Sequence, residues 1–231
     1  MTEFRSALFM IWFVLLTLVM AIIFLPLLAV PRKATVRMAR YWARATLWGL
    51  RVFAGIGERQ TGEAPQGGVL VAAKHMSMWD TLALYLALDD PGIILKRELL
   101  RIPFYGWYLW KAAAIPIDRS AGAEALRRMT RAAQSVLAQG RPILIFPEGT
   151  RKKPGAPPDY KPGVAGLYGL LNVACVPVAL DSGRYWQGFT KYPGTITMAF
   201  LEPIPPGLKR RDFMVRLEER IETATSQLLR P

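Results

Sequence analysis

Residues 68–88 read GVLVAAKHMSMWDTLALYLAL, and this stretch holds the unit from which the fold is built. Its first seven residues form a short apolar run of buried-strand length. The last eleven carry good helix formers at helical spacing, and Ser77 between the two is a natural N-cap. A strand that passes through a tight turn into a helix is half of a βαβ unit. The same alternation continues along the chain. Strand-like runs at 92–96, 113–119, 141–149, 174–182 and 195–203 are separated by helical patterns at 103–114, 123–139 and 163–171, and a last helix is predicted over 211–229. Strands alternating with helices imply an α/β fold with a mixed, mostly parallel sheet flanked by helices.

Working outward towards the N-terminus, residues 8–30 (LFMIWFVLLTLVMAIIFLPLLAV) carry no charge over 23 positions. That is long enough to cross a hydrocarbon core of about 30 Å as a helix, and Pro26 near its end permits either a crossing or a dip into one leaflet. The run exceeds the apolar part of a cleaved signal peptide and leads at once into Arg32, Lys33, Arg37 and Arg40, so a retained anchor is expected, with the remainder of the chain on the cytoplasmic side. Residues 34–53 read as an amphipathic helix. Its arginines 37, 40, 44 and 51 share one arc, with Tyr41, Trp42, Ala45, Trp48 and Val52 largely off it, which suits a helix lying in the headgroup layer. The polar, glycine-containing segment 55–68 is read as a linker with a boundary near Gly57. This divides the chain into a membrane anchor and interfacial helix, 1–56, and a catalytic domain, 57–231.

Composition narrows the function classes. Thirty Lys+Arg against 17 Asp+Glu give a net charge of +13, which requires an anionic partner: nucleic acid, a membrane surface or a phosphorylated substrate. The basic cluster adjoins the apolar run, so anionic lipid is the nearer partner and no nucleic acid is expected. One histidine and one cysteine exclude an intramolecular disulfide and a four-ligand zinc site, and no metal is expected. Cys175, inside NVACVPVAL, reads as a buried structural thiol.

The only histidine, His75, precedes Asp80 by five positions. On one continuous helix those side chains would point about 140° apart, so they can meet only across a break, which the turn before Ser77 supplies. A carboxylate on one imidazole nitrogen fixes the tautomer and makes the other nitrogen a better base. A second constellation comes after the strand-like run RPILIF: Pro147, Glu148, Gly149, Thr150 and Arg151, with Lys152, Lys153 and Lys161 close behind. Glycine there permits close backbone approach, and an arginine at a strand end can grip a phosphate through two parallel bonds. Phe104, Tyr105, Trp107 and Trp110 are read as core at helical spacing, with the lining of an acyl tunnel as the other use.

Together these residues resemble the glycerolipid acyltransferases, in particular the bacterial 1-acyl-glycerol-3-phosphate acyltransferases. Four ordered blocks carry the resemblance: H-x-x-x-x-D at His75 and Asp80; AAIPIDR, whose arginine is Arg119 but which has Ala113 and Pro116 where the family has glycine and phenylalanine; F-P-E-G-T-R from Phe146 to Arg151; and V-P-V at Val176, Pro177 and Val178. The resemblance implies transfer of a fatty-acyl group from acyl-CoA or acyl carrier protein to the sn-2 hydroxyl of lysophosphatidate, giving phosphatidate, with no further cofactor. His75 is then the general base and Asp80 its orienting partner. Arg119, Glu148, Gly149, Thr150 and Arg151, with Lys96 and Lys161, bind the acceptor. It also implies a bacterial inner membrane as the site of action. Members of the family also acylate other lysolipids, lyso-ornithine lipid among them. A non-enzymatic basic membrane-surface or nucleic-acid-binding protein would leave the four blocks unexplained.

Overall fold

The computed structural model describes residues 1–118 and 122–230. The stretch 68–88 folds as β2 (Leu70–Ala73), a turn, and α3 (Met78–Ala87). Before it come α1 (Thr2–Ile23), a 3-10 turn, α2 (Arg32–Gly49), a π turn and β1 (Ile56–Thr61). After it come β3 (Gly92–Lys96), α4 (Tyr105–Lys111), β4 (Ile115–Ile117), α5 (Gly122–Leu137), β5 (Ile143–Ile145), α6 (Gly163–Leu171) and β6 (Cys175–Leu180). A small hairpin, β7 (Trp186–Gln187) and β8 (Thr190–Lys191), then leads to β9 (Gly194–Phe200) and α7 (Arg210–Leu228).

Among the described residues seven strands form the main sheet, in the order β1-β9-β6-β2-β5-β3-β4. The run from β6 to β4 is parallel throughout, β9 is antiparallel to β6, and β1 runs parallel to β9. The α/β expectation holds, with the mixed character confined to one edge. Because β2, β5, β3, β4 and β6 share a direction, their carboxyl ends emerge together, where α/β sheets present ligands. Side chains alternate across β2. Val71 and Ala73 join the core under α1, α2 and α3, while Leu70 and Ala72 join the core under α5, α6 and α7.

The structure departs from the sequence reading at three places. Residues 56–61, read as linker, are the edge strand β1; the polar sequence IGERQT gives no alternation because most of the strand is exposed. The hairpin β7–β8 has strands of two residues and leaves no periodic trace. Third, Tyr41 and Trp48 do not lie away from the arginine stripe of α2. They are exposed beside Arg37, Arg44 and Arg51, whereas Trp42 turns inward and donates to Thr17 of α1 at 3.0 Å.

Helices α1 and α2 form a hairpin whose inner face is aromatic, with Trp12 against Trp48 and Phe53, and Phe13 against Trp42. Phe9, Ala43, Leu47 and Leu50 share one hydrophobic core with Val71, Trp79 and Val178, so packing is continuous across residue 56. At its start α1 is held by Arg5, which donates to the Phe53 carbonyl at 2.9 Å, and by Ser6, which accepts from Lys191 N–H at 2.9 Å. At its end the Tyr108 hydroxyl of α4 donates to the Ala21 carbonyl at 2.9 Å. The opposite face, with Ile11, Leu15, Leu18 and Ile22, is exposed and apolar. Helix α1 is long and apolar enough to cross a membrane.

Lys191 on β8 is buried, with its ammonium donating to the Gly188 and Phe189 carbonyls at 2.8 and 2.7 Å and lying 4.8 Å from the Trp186 ring centre. Burial lowers its pKa from 10.5 to about 8. Between those two values the unfolded chain holds a proton that the folded one has released, so stability rises with pH through that window. Buried Cys175 and partly buried Tyr160, whose pKa values desolvation raises, act in the opposite sense, but equally in a variant at position 191. The melting temperature of wild type relative to Lys191→Met is therefore expected to move in favour of wild type between pH 8 and 10. A difference that stays flat or falls shows that Lys191 does not release its proton in that range.

Candidate active site

The chain leaves β2 with Lys74 and His75 and enters α3 through a capping box. The Ser77 hydroxyl accepts from Trp79 N–H at 3.2 Å, and the carboxylate of Asp80, third residue of the helix, reaches back to the turn. One oxygen of Asp80 accepts from His75 Nδ1 at 3.0 Å, Met76 N–H at 2.6 Å and Ser77 N–H at 2.8 Å. Asp80 has no solvent exposure. The strand-to-helix break thus brings His75 and Asp80 together, and the carboxylate that completes the helix cap is also the one that fixes the imidazole. An ionised carboxylate on Nδ1 selects the tautomer with its proton there, which leaves Nε2 as the nitrogen able to take another. The ring stacks on Phe146 at a centroid distance of 4.0 Å, and the His75 side chain is 13% exposed.

The strand β5, next to β2, delivers Phe146 and the turn beyond it. Gly149 adopts φ 65°, in the left-handed region, and its N–H closes the turn on the Phe146 carbonyl at 2.9 Å. Lys152 N–H then bonds the His75 carbonyl at 2.8 Å, which ties the segment carrying Thr150 and Arg151 to the histidine. Arg151 is exposed and Thr150 lies at the same edge. The charge of Arg151 is felt at Tyr105 of α4, where it partly opposes the upward shift that desolvation gives the phenol. Strand β3, next to β5, ends in exposed Lys96. Arg119 lies outside the described residues. Lys161 is drawn to Asp159, meeting both carboxylate oxygens at 2.7 Å, and its backbone N–H bonds the Pro147 carbonyl at 2.9 Å. The V-P-V run lies within β6, and just beyond that strand Ser182 sits 2.9 Å, oxygen to oxygen, from Ser77.

Glu148 is buried at 1% exposure, with Lys74 donating to one oxygen at 3.1 Å. Its other oxygen is buried without a hydrogen-bond partner among the described residues. Burial raises its pKa and the Lys74 charge opposes the shift. Lys74 also donates to Glu222 of α7 at 2.7 Å, and Tyr160 donates to the same Glu222 oxygen at 2.8 Å. Sequence reasoning passes over Lys74, Tyr160 and Glu222. The strand alternation that sends Leu70 and Ala72 towards α7 also sends Lys74 there, opposite to His75, and that signal lies in the sequence. The aromatic set of α4 departs from its expected place in the core: Trp107 and Trp110 are exposed and, with Leu28, Leu100 and Gly106, border an apolar cavity of about 410 Å³.

Two halves of a candidate site thus lie on adjacent strands, a carboxylate-bonded imidazole and a basic, glycine-hinged turn. The family model described as Acyltransferase matches residues 56–181, which take in β1 to β6 and both halves. The chain belongs to the acyltransferase family. Among relatives of this acyltransferase, a Pseudomonas aeruginosa protein described as 1-acyl-sn-glycerol-3-phosphate acyltransferase is 36% identical over 171 residues, 72% of this chain. A mouse protein described as 1-acyl-sn-glycerol-3-phosphate acyltransferase alpha is 32% identical over 146 residues, 61% of the chain. The matches take in 66% and 51% of those proteins, so this acyltransferase spans about half to two thirds of their length. The crystal structure of the 1-acyl-sn-glycerophosphate acyltransferase PlsC from Thermotoga maritima superposes with a TM-score of 0.80, covering 100% of this chain and 99% of that one at 20% identity. At that identity the likeness concerns the fold.

Proposed function

We propose that this acyltransferase transfers a fatty-acyl group from acyl-CoA or acyl carrier protein to the free hydroxyl of lysophosphatidate, giving phosphatidate. The observation that carries the reading is the Asp80–His75 pair at 3.0 Å on β2, beside a cationic turn on β5. The relatives described as 1-acyl-sn-glycerol-3-phosphate acyltransferases support the choice of acceptor. His75 Nε2 takes the hydroxyl proton as the acceptor oxygen attacks the thioester carbonyl carbon. The C–S bond then breaks, the ester forms, and the imidazolium returns its proton to the departing thiolate. Asp80 stabilises the imidazolium while it exists. No cofactor beyond the acyl donor enters these steps. Arg151, Lys96 and Arg119 bind the acceptor phosphate, with Gly149 and Thr150 shaping the approach, while Lys161, its charge paired with Asp159, braces the turn through its backbone.

The acceptor dissolves in the bilayer, and the molecule offers a face to it. The exposed apolar stripe of α1, with Tyr41 and Trp48 between Arg37, Arg44 and Arg51 on α2, suits an anionic membrane surface. Residues at both ends of α1 are bonded to the body, which supports a helix lying in one leaflet. The basic cluster after the apolar run supports binding to the anionic cytoplasmic leaflet, with the catalytic edge on that side.

The purified chain in detergent micelles, offered lysophosphatidate, lysophosphatidylcholine and lyso-ornithine lipid in turn with labelled acyl-CoA or acyl carrier protein, tests the acceptor. Lysophosphatidate is expected to give the highest kcat/KM; preference for either other lipid overturns the assignment. A charge-assisted contact contributes about 1.5–3 kcal/mol, so Arg151→Ala should raise the KM for lysophosphatidate by roughly 10- to 100-fold. An unchanged acceptor KM removes Arg151 from the phosphate site.

A further inference from the structure

On the sheet face opposite His75, three charged groups meet. The ammonium of Lys74, a side chain only 2% exposed, lies 3.1 Å from Glu148 and 2.7 Å from Glu222, and the Tyr160 hydroxyl is 2.8 Å from the Glu222 oxygen. Lys74 is the residue before His75, Glu148 is the residue before Gly149, and Glu222 sits in the body of α7. The cluster therefore joins both halves of the candidate active site to the C-terminal helix. A buried ion pair fixes geometry more surely than it adds stability, because its charges tolerate no other arrangement. Glu148 faces Lys74 and the interior rather than the solvent edge, with one oxygen bonded to Lys74 and the other enclosed.

We propose that Lys74, Glu222 and Tyr160 are positioning residues that, through Glu148, hold the Gly149–Arg151 turn in register with His75, so that α7 sets the geometry of the acceptor-phosphate site. This rests on the function proposed above and changes the part played by Glu148, from a contact of the acceptor to the anchor of the turn. Tyr160 extends the same clamp, because the next residue, Lys161, bonds the Pro147 carbonyl through its N–H at 2.9 Å. The C-terminal helix is thereby linked to each end of the loop that carries Arg151.

The test uses full-length protein in micelles and three variants, Glu222→Leu, Tyr160→Phe and the double variant Lys74→Met/Glu148→Gln. The double variant removes the Lys74–Glu148 pair, and Glu222, a quarter exposed, keeps the bond from the Tyr160 hydroxyl. Two quantities are read: the KM for lysophosphatidate against that for the acyl donor, and the rate of tryptic cleavage after Arg151 and Lys152. The expected result is an acceptor KM raised about tenfold in Glu222→Leu and in the double variant. Tyr160→Phe should raise it about twofold, the acyl-donor KM should stay within twofold throughout, and cleavage of the 151–153 segment should quicken at least tenfold in the first two. A merely structural role lowers the active fraction and leaves both KM values and the cleavage pattern of the folded protein at their wild-type values. That result, or wild-type acceptor KM in the double variant, overturns the proposal. If wild type does not acylate lysophosphatidate the functional reading fails instead, and the proteolysis still reports whether α7 holds the turn.

Discussion

His75→Ala is expected to lower kcat for acyl transfer by about 10³-fold or more while the protein stays folded and bound to vesicles. A hydroxyl is a poor nucleophile at neutral pH, and a positioned base contributes about 10² to 10⁴ in rate. The chain has a single histidine, so no second imidazole can take over. The side chain lost stacks on Phe146 and bonds Asp80, whose oxygen keeps the Met76 and Ser77 N–H donors, so the cost in stability is about 2–4 kcal/mol, an aromatic pair plus one charge-assisted hydrogen bond. Asp80→Asn separates orientation from folding. An asparagine oxygen can still accept from the Met76 and Ser77 N–H groups, but it presents no negative charge to an imidazolium. The expected result is a loss of kcat approaching that of His75→Ala with α3 intact. Asp80→Ala should also destabilise the protein, because two buried N–H groups lose their acceptor at about 1–3 kcal/mol each. Stopped turnover with near-normal near-ultraviolet circular dichroism supports the assignment. Wild-type kcat in His75→Ala shows that the proton leaves by another route.

How much the sequence discloses depends on the range of the interactions involved. The β2–α3 unit is legible because its signals are local: an apolar run, an N-cap and a carboxylate three residues on, all within residues 68–88. The same locality makes the meeting of His75 and Asp80 derivable from helix geometry alone. Strand β1 is not legible. Its polar residues are held by pairing with β9, whose partners lie some 138 positions away, as for Ile56 with Gly194 and Arg59 with Thr197. Lys74 is the same case in the site: its partner on the β5 side is 74 positions away and its partner on α7 is 148 away, so a lysine in an apolar strand reads as no more than the strand's polar end. The aromatic set of α4 fails for a different reason. Helical spacing reports an apolar face, and it does not distinguish a face turned to the core from one turned to a lipid surface.

That distinction leads to the second large effect. Ile11, Leu15, Leu18 and Ile22 recur at the spacing of one helical stripe and are each about half exposed or more. Burying such a side chain in an apolar phase contributes about 1.5–3 kcal/mol when complete, so about half of that applies to each here. Replacing Leu15, Leu18 and Ile22 together by lysine should therefore weaken partition onto vesicles by roughly 10²- to 10³-fold, at about 1.4 kcal/mol per decade. The fold should persist, because the opposite face of α1 makes the contacts with α2 and β8. Activity towards a short-chain, water-soluble acceptor should survive where activity towards vesicle-borne lysophosphatidate is lost. Labelling decides how the stripe meets the bilayer. The one native thiol, Cys175, is buried and its pKa is pushed up by burial, so a maleimide reports only on an introduced cysteine. With Thr2→Cys or Val30→Cys in sealed vesicles carrying the protein on their outer surface, both positions should label from the outside. A helix fastened to the body through Arg5 at one end and Ala21 at the other leaves both flanks on the same side. If position 2 labels only after the vesicles are opened, α1 crosses the bilayer, and the bonds from Phe53 and Tyr108 to that helix do not persist in the membrane.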